Sequence, residues 1–126
     1  LVEDNENERQ LLATILKMAN LNVVSVADGE EALKFLDDNP SPDLVLIDMQ
    51  MPRLNGPQTI SIIRNSKKHS DLPIYGVSGS SRSELNVPLS NRGVNRWFSK
   101  PVQANELLDS ILNECETNDA FGVGFN

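Results

Sequence analysis

Four apolar runs in this sequence end in side chains that can do chemistry. Glu3 and Asp4 follow Leu1 and Val2, Asp48 follows LVLI, Ser78 follows PIYGV, and Ser99 with Lys100 follows Arg96, Trp97 and Phe98. Three carboxylates brought together repel, and each has its pKa raised unless a cation stands between them. A divalent cation meets that need. Magnesium suits an all-oxygen set because it takes a few protein oxygens, keeps waters and leaves room for a phosphate oxygen. Asp48 is then a nucleophile able to accept a phosphoryl group as an acyl phosphate. Lys100 and Ser78 supply an ammonium and a hydroxyl that can hold the equatorial oxygens of the group in transfer. The apolar run before Asp48 acts as a rigid mount, and positioning is most of what such a transfer requires of a protein.

The elements that must bring these groups together follow from periodicity. Asn5 and Glu8 make a capping-box start, after which Leu11, Leu12, Ile15, Leu16 and Ala19 recur at helical spacing to about Asn20. VVSVA at 23–27 reads as a β-branched strand, and Asp28 with Glu31 opens a helix carrying Ala32, Leu33 and Leu36 that stops before Asn39 and Pro40. LVLI at 44–47 has the continuous apolar pattern of a parallel strand covered on both faces. Gly56 and Pro57 start a helix bearing Ile60 and Ile63, PIYGV at 73–77 is a fourth strand, and 96–98 a fifth. Ala104, Leu107, Leu108, Ile111, Leu112 and Cys115 form the last helical stripe. Between the fourth and fifth strands a helix is expected, short, kinked or begun at Pro88, because a proline within a helix costs about 3 kcal/mol. Strict alternation of strand and helix predicts an α/β, doubly wound parallel sheet with helices on both faces. Ligands of such sheets gather at the carboxyl ends of the strands, where all four signatures fall.

The 126 residues suit one domain, read as 1–115 followed by a polar, Gly-bearing tail or linker over 116–126. Because the chain opens on Leu1 and only two apolar residues precede the acids, part of a first strand is expected to be missing at its start. Apolar residues at 39% and charged residues at 23% match an ordered globular protein rather than a disordered one. A net charge of −7 argues against direct nucleic-acid binding, which needs a basic face, and fits a cation site. The apolar runs fall short of the roughly 20 residues of a membrane helix, so no membrane insertion and a cytoplasmic location are expected. The single Cys115 rules out an internal disulfide and continues an apolar stripe as a packing residue.

LVEDN, LVLIDMQMPRLNG, GVSGSS and FSKP stand in the order and at the spacings of the receiver domain of two-component response regulators, which the chain resembles from residue 1 to about 115. The resemblance implies a flavodoxin-like, five-stranded sheet in the order 2-1-3-4-5. It implies that Asp48 is the phosphoacceptor in a phosphorelay, taking the group from a histidine kinase or histidine phosphotransfer protein, and that the domain is a switch with at most slow self-dephosphorylation rather than an enzyme. By position, Asp4 and Asp48 bind Mg²⁺ directly with the Gln50 backbone carbonyl, and Glu3 binds through water. Ser78 and Trp97 are the switch pair, Gln50 and Ser80 tune phosphate lifetime, and the Lys100–Pro101 bond is cis. The face formed by the expected fourth helix, fifth strand and fifth helix carries the signal and is where a homodimer would form. The residues DMQMP are also similar to receivers carried at the end of hybrid histidine kinases.

This sequence departs from the family pattern at several places. Asn55 stands where aspartate is common, Ser78 where threonine is, and Gly79 where alanine is, so the hydroxyl lacks the restraint of a β-branch. Trp97 is larger than the usual Tyr or Phe, and its size weighs against burial in an inward position.

Other readings compete with these. GVSGS falls one glycine short of a hydrolase elbow, and the sole His69, in NSKKHSD, reads as an exposed loop residue rather than a phosphodonor. An Mg²⁺-dependent phosphatase with an aspartyl nucleophile resembles the same set, but such enzymes carry a second Asp two residues on, where this chain has Gln50. A receiver-like docking module without phosphorylation is the third reading. Taken singly, Glu3 and Asp4 read as solvated acids at a helix start, Ser78 as a turn hydroxyl, Lys100 as a surface cation and Trp97 as core. Gly122 and Gly124 are too few and too late for a nucleotide-binding loop.

Overall fold

The computed structural model describes residues 1–51, 53–80, 85–90 and 92–119, without the side chains of 116–119. Its elements in chain order are α1 (Glu6–Met18), α2 (Gly29–Asp38), β1 (Val45–Asp48), α3 (Gly56–Arg64), β2 (Ile74–Ser78), β3 (Arg96–Ser99) and α4 (Ala104–Asp119). The three strands pair in parallel in the order β1-β2-β3. Beyond β1 the sheet continues as single bridges, Val2 to Ile47 and Val2 to Val26. The five segments therefore lie side by side in the expected order, second, first, third, fourth, fifth. The 23–27 segment contributes one bridge rather than a ladder, because only Leu1, Val2 and Glu3 lie alongside it: Val26 N–H donates to the Leu1 carbonyl and Glu3 N–H to that of Val26.

Helices cover both faces. On one, Val45, Ile47 and Ile74 pack with Ala32 and Leu36 of α2 and Ile60 and Ile63 of α3. On the other, Leu46, Tyr75 and Val77 pack with Leu12 and Leu16 of α1 and Leu107 and Ile111 of α4. This is period-two strand alternation meeting period-3.6 helical stripes, and each fully buried aliphatic side chain contributes about 1.5–3 kcal/mol. β1 and β2 are buried at every position, as the unbroken apolar runs anticipated.

Capping explains where the helices begin. Asn5 accepts from Glu8 N–H, Asp28 from Glu31 N–H, and Asn55 from Gln58 N–H. Asn55 and Gln58 close a full reciprocal box, a role the sequence reading did not give to Asn55. At the end of α3, the Arg64 guanidinium donates to the carbonyls of Gly93, Ser70 and Leu72 and to Asn95 Oδ1. Asn95 Oδ1 also accepts from Ile74 N–H, which ties the amino-terminal ends of β2 and β3 together.

Two expectations need correction. Among the described residues no helix lies between β2 and β3; residues 81–84 and 91, where part of it was expected, are outside the description. Leu85 and Asn86 form a turn with Asn86 at a positive φ of 53°, and Val94 N–H returns to the Pro88 carbonyl, so the chain doubles back at Pro88. Second, His69 is buried, not exposed. Its Nδ1 meets Ser41 Oγ at 2.8 Å and its Nε2 the Leu36 carbonyl at 3.0 Å, while Lys68 donates to the Leu36 and Asn39 carbonyls. The hydrophilic run 67–71 is thus the cap for the open carbonyls at the end of α2, which need such partners. α4 remains helical to Asp119, past Cys115 where its apolar stripe ends, so the tail or linker expected over 116–126 begins as a continuation of the helix; residues 120–126 lie outside the described residues.

Candidate functional site

Parallel strands place their carboxyl ends on one edge, and there the expected residues meet. Asp48 closes β1, Ser78 closes β2, Lys100 follows β3, and Glu3 and Asp4 follow the bridge at Val2. Glu3 is 1% exposed, Asp48 3% and Ser78 0%, whereas Asp4 is exposed. Glu3, Asp4 and Asp48 each offer a carboxylate oxygen within 4.8 Å of the others. The Lys100 Nζ lies 3.3 Å from Asp48 Oδ1 and 3.4 Å from Glu3 Oε1.

The backbone around Asp48 is tightly held. Met49 N–H donates to Val77 and Asp48 N–H to Val2, which locks the strand end between its neighbours. Gly56 packs so closely that an added Cβ would lie 2.5 Å from Met49 Cα and 2.8 Å from the Asp48 carbonyl oxygen. Across the pocket, Arg9 donates to the Glu3 and Asp4 carbonyls and fixes the loop that carries both acids. Arg53, at φ 60°, pairs with the buried Asp28 and secures the loop after β1 against the start of α2.

Electrostatics follow from burial. Desolvation pushes the Glu3 carboxyl from 4.5 up to about 7, with the Asn5 N–H opposing and the nearby Asp48 charge adding to the rise. Burial also raises Asp48, against the pull of the Lys100 ammonium. Burial pulls Lys100 down, but a hydrogen bond to Glu8 and the charges of Asp48 and Glu3 outweigh it, so its pKa is raised.

Glu8 is the site residue that sequence reading missed. Its Oε1 lies 3.1 Å from Lys100 Nζ. The Asn5-x-x-Glu8 spacing looked like a capping box, yet only half of it forms: the Glu8 side chain goes to the ammonium and Asn5 N–H donates to Glu3 Oε2 instead. Three carboxylates, Glu3, Glu8 and Asp48, therefore share the Lys100 ammonium, with Asp4 beside Glu3 and Asp48. A hard cation fits such a donor set: all oxygen, net negative, and partly buried. Asp4 and Asp48 could hold such an ion, with Glu3 close enough to act through water.

The remaining expected residues are also placed. Gln50 N–H lies 3.4 Å from Asp48 Oδ1, and its Nε2 donates to Ser80 Oγ at 2.9 Å, joining the two loops that flank Asp48. Ser78 Oγ accepts from Ser80 N–H. Trp97 is half-buried, opposite Gly76 across the β2–β3 pair, and the Lys100–Pro101 bond is cis. No helix among the described residues is long and apolar enough to cross a membrane.

Comparison with known proteins agrees with this arrangement. The model of the response regulator receiver domain matches residues 1–112. The chain is 31% identical over 112 residues to the CAI-1 autoinducer sensor kinase/phosphatase CqsS of Vibrio cholerae, covering 88% of this chain and 16% of that protein. It is 30% identical over 113 residues to protein PilG of Pseudomonas aeruginosa, covering 88% and 82% respectively. With the hybrid signal transduction histidine kinase A of Dictyostelium discoideum it shares 32% identity but spans only 5% of that length. Among solved structures, a response regulator receiver protein from Pseudomonas putida superposes with a TM-score of 0.81 at 30% identity, covering 89% of this chain and 92% of that one. The receiver domain of sensor histidine kinase PA1611 from Pseudomonas aeruginosa, with a magnesium ion coordinated in its active site cleft, gives 0.78 at 25% identity, covering 89% and 91%. The acidic pocket at the sheet edge thus sits in a known setting: the chain belongs to the response regulator receiver domain family of two-component signalling.

Proposed function

We propose that Asp48 is the phosphoacceptor of this receiver. The observation that carries the reading is a buried carboxylate at the end of β1, 3.3 Å from the Lys100 ammonium and within 4.8 Å of the Glu3 and Asp4 oxygens. A carboxylate oxygen of Asp48 attacks phosphorus in line, the O–P bond forms, and the N–P bond of a donor phosphohistidine breaks, the imidazole leaving with its proton balance restored from water. Lys100 holds an oxygen of the moving group, and Ser78, fully buried at the adjacent strand end, is placed to meet it afterwards. Magnesium, when bound, supplies positive charge against the developing charge on those oxygens. Asp4 and the Gln50 carbonyl would hold it with Asp48, Glu3 would act through water, and Gln50 and Ser80 would set how long the phosphate survives.

The receiver unit is residues 1–115, cytoplasmic, and serves a histidine kinase or phosphotransfer protein as donor. Its modification biases a two-state equilibrium read on the face formed by β3, α4 and the segment before β3 where the fourth helix was expected, through Ser78 and Trp97. That surface is also the proposed homodimer contact. A place within a hybrid histidine kinase is supported by the likeness to the hybrid signal transduction histidine kinase A of Dictyostelium discoideum.

The test is labelling with acetyl phosphate. With Mg²⁺ the chain takes up one hydroxylamine-sensitive phosphoryl group; EDTA or Asp48→Asn abolishes it while the circular dichroism spectrum is kept. Undiminished labelling of Asp48→Asn overturns the assignment, and steady turnover of a phosphomonoester would mark an aspartyl phosphatase instead.

A further inference from the structure

Gly76 stands in the interior of β2, a position where glycine costs about 0.5–1 kcal/mol relative to alanine because it loses more backbone freedom and packs nothing. Its backbone is ordinary strand, so no positive φ calls for it. Space does. A Cβ built at Gly76 would lie 3.0 Å from Trp97 Cε3, 3.3 Å from Trp97 Cζ3 and 3.2 Å from Met49 Cε. A Cβ at 76 would therefore need the benzo edge of the indole and the Met49 methyl to give by a few tenths of an ångström, and a larger side chain would meet them outright.

The register makes this placement consequential. Gly76 lies opposite Trp97 and Ser78 opposite Ser99. Period-two alternation puts Gly76, Ser78 and Trp97 on the same face of the sheet. That is the face of α2 and α3, since Trp97 packs against the cluster containing Ile47, Met49, Ile60 and Ile63. The ring thus lies next in line to the Ser78 hydroxyl at the pocket edge. The size of tryptophan, which by itself weighs against an inward position, is accommodated by the absence of a side chain opposite it.

We infer that Gly76 is a positioning residue that seats Trp97 inward over β2 without phosphorylation, so that the identity of residue 76 sets how far the aromatic partner of Ser78 has still to move. The functional meaning rests on the reading of Asp48 as phosphoacceptor; the seat itself does not. In the wild type the inward position is already occupied, and labelling at Asp48 has little ring movement left to drive. A β-branched residue at 76 displaces the ring toward the surface and restores a distance for the switch to travel.

Because the chain contains a single tryptophan, its fluorescence reports this ring alone. The experiment compares acrylamide quenching and emission maximum in wild type, Gly76→Ala and Gly76→Val, with native circular dichroism as the folding control. A close-packed ring excludes a collisional quencher, so Gly76→Val should raise the quenching constant about twofold and shift emission to the red, with Gly76→Ala between. Gly76→Val should also lower Tm in the wild-type background and lower it much less when combined with Trp97→Ala, which keeps the test valid if the single variant is poorly folded. Acetyl phosphate with Mg²⁺ should change wild-type quenching little and Gly76→Val quenching strongly. Equal quenching in wild type and Gly76→Val, additive Tm losses in the double variant, or a large fall in wild-type quenching on labelling would each overturn the inference. Labelling is measured separately on the same samples by a gel-mobility shift. Failure to label at all counts against the phosphoacceptor assignment, and the unlabelled quenching comparison still decides the seat.

Discussion

Raising the pH from 5 to 8 in EDTA should weaken the fold through Glu3, and Mg²⁺ should repair it. Burial lifts the Glu3 carboxyl from 4.5 to about 7, so the folded chain keeps a proton that the unfolded chain has already released. A group whose folded pKa is raised contributes its stability fully below the unfolded value and loses it as pH climbs through the folded one. The window here runs from about 4.5 to about 7. At about 1.36 kcal/mol per pH unit the difference is worth about 3.4 kcal/mol; halved because the pocket opens to solvent at Asp4, it leaves about 1.7 kcal/mol.

The quantity to measure is the stability difference between wild type and Glu3→Gln, followed by urea unfolding at several pH values. In EDTA the stability of the wild type minus that of Glu3→Gln should fall by about 1.3 kcal/mol between pH 5 and 8, part of the 1.7 kcal/mol being lost already below pH 5; this is roughly 0.8 M in urea midpoint for a domain of this size. Mg²⁺ at tenfold its pH 8 dissociation constant should return about 1.4 kcal/mol to the wild type at pH 8 and clearly less at pH 5, where Glu3 is protonated and no longer adds its charge to those of Asp4 and Asp48. A difference that stays flat or grows with pH in EDTA would refute the reasoning, as would an equal gain from Mg²⁺ at both pH values.

Two further substitutions probe how the pocket is mounted. Gly56→Ala forces a methyl group against Met49 Cα and the Asp48 carbonyl, and should cost about 1–3 kcal/mol in urea unfolding while slowing labelling by acetyl phosphate through displacement of Asp48. Tyr75→Phe removes a hydroxyl that donates to the Ser110 carbonyl at 2.9 Å and to Glu114 Oε1 at 3.0 Å; it should cost about 1 kcal/mol and increase amide exchange in α4 while leaving labelling intact.

What the sequence made legible was whatever the parallel architecture alone dictates. Once strands alternate with helices, Glu3, Asp4, Asp48, Ser78 and Lys100 fall on one edge by topology, and no knowledge of side-chain packing is needed to collect them. What escaped depends on where flexible or polar side chains finally point. Glu8 has the spacing of a cap but spends its carboxylate on Lys100, a partner 92 positions away that local pattern cannot reveal. His69 sits among hydrophilic neighbours, yet its ring is drawn inward by the carbonyls at the end of α2. Asn55 looked like a neutral departure until its side chain proved to close a cap with Gln58. Pro88 signalled trouble for a helix correctly, and the described part of that segment turns back on itself. Gly76 gave no signal alone; its meaning appears only when the register sets it against Trp97.

The Arg64 knot carries a mechanical consequence. Its guanidinium and Asn95 clamp together the starts of the two strands that end at Ser78 and Ser99. With that end pinned, β2 and β3 cannot slide past one another. Whatever happens at the acidic rim must leave the molecule by rotation of side chains and tilting of loops around an immobile base, as a pair of tongs opens only at its tips.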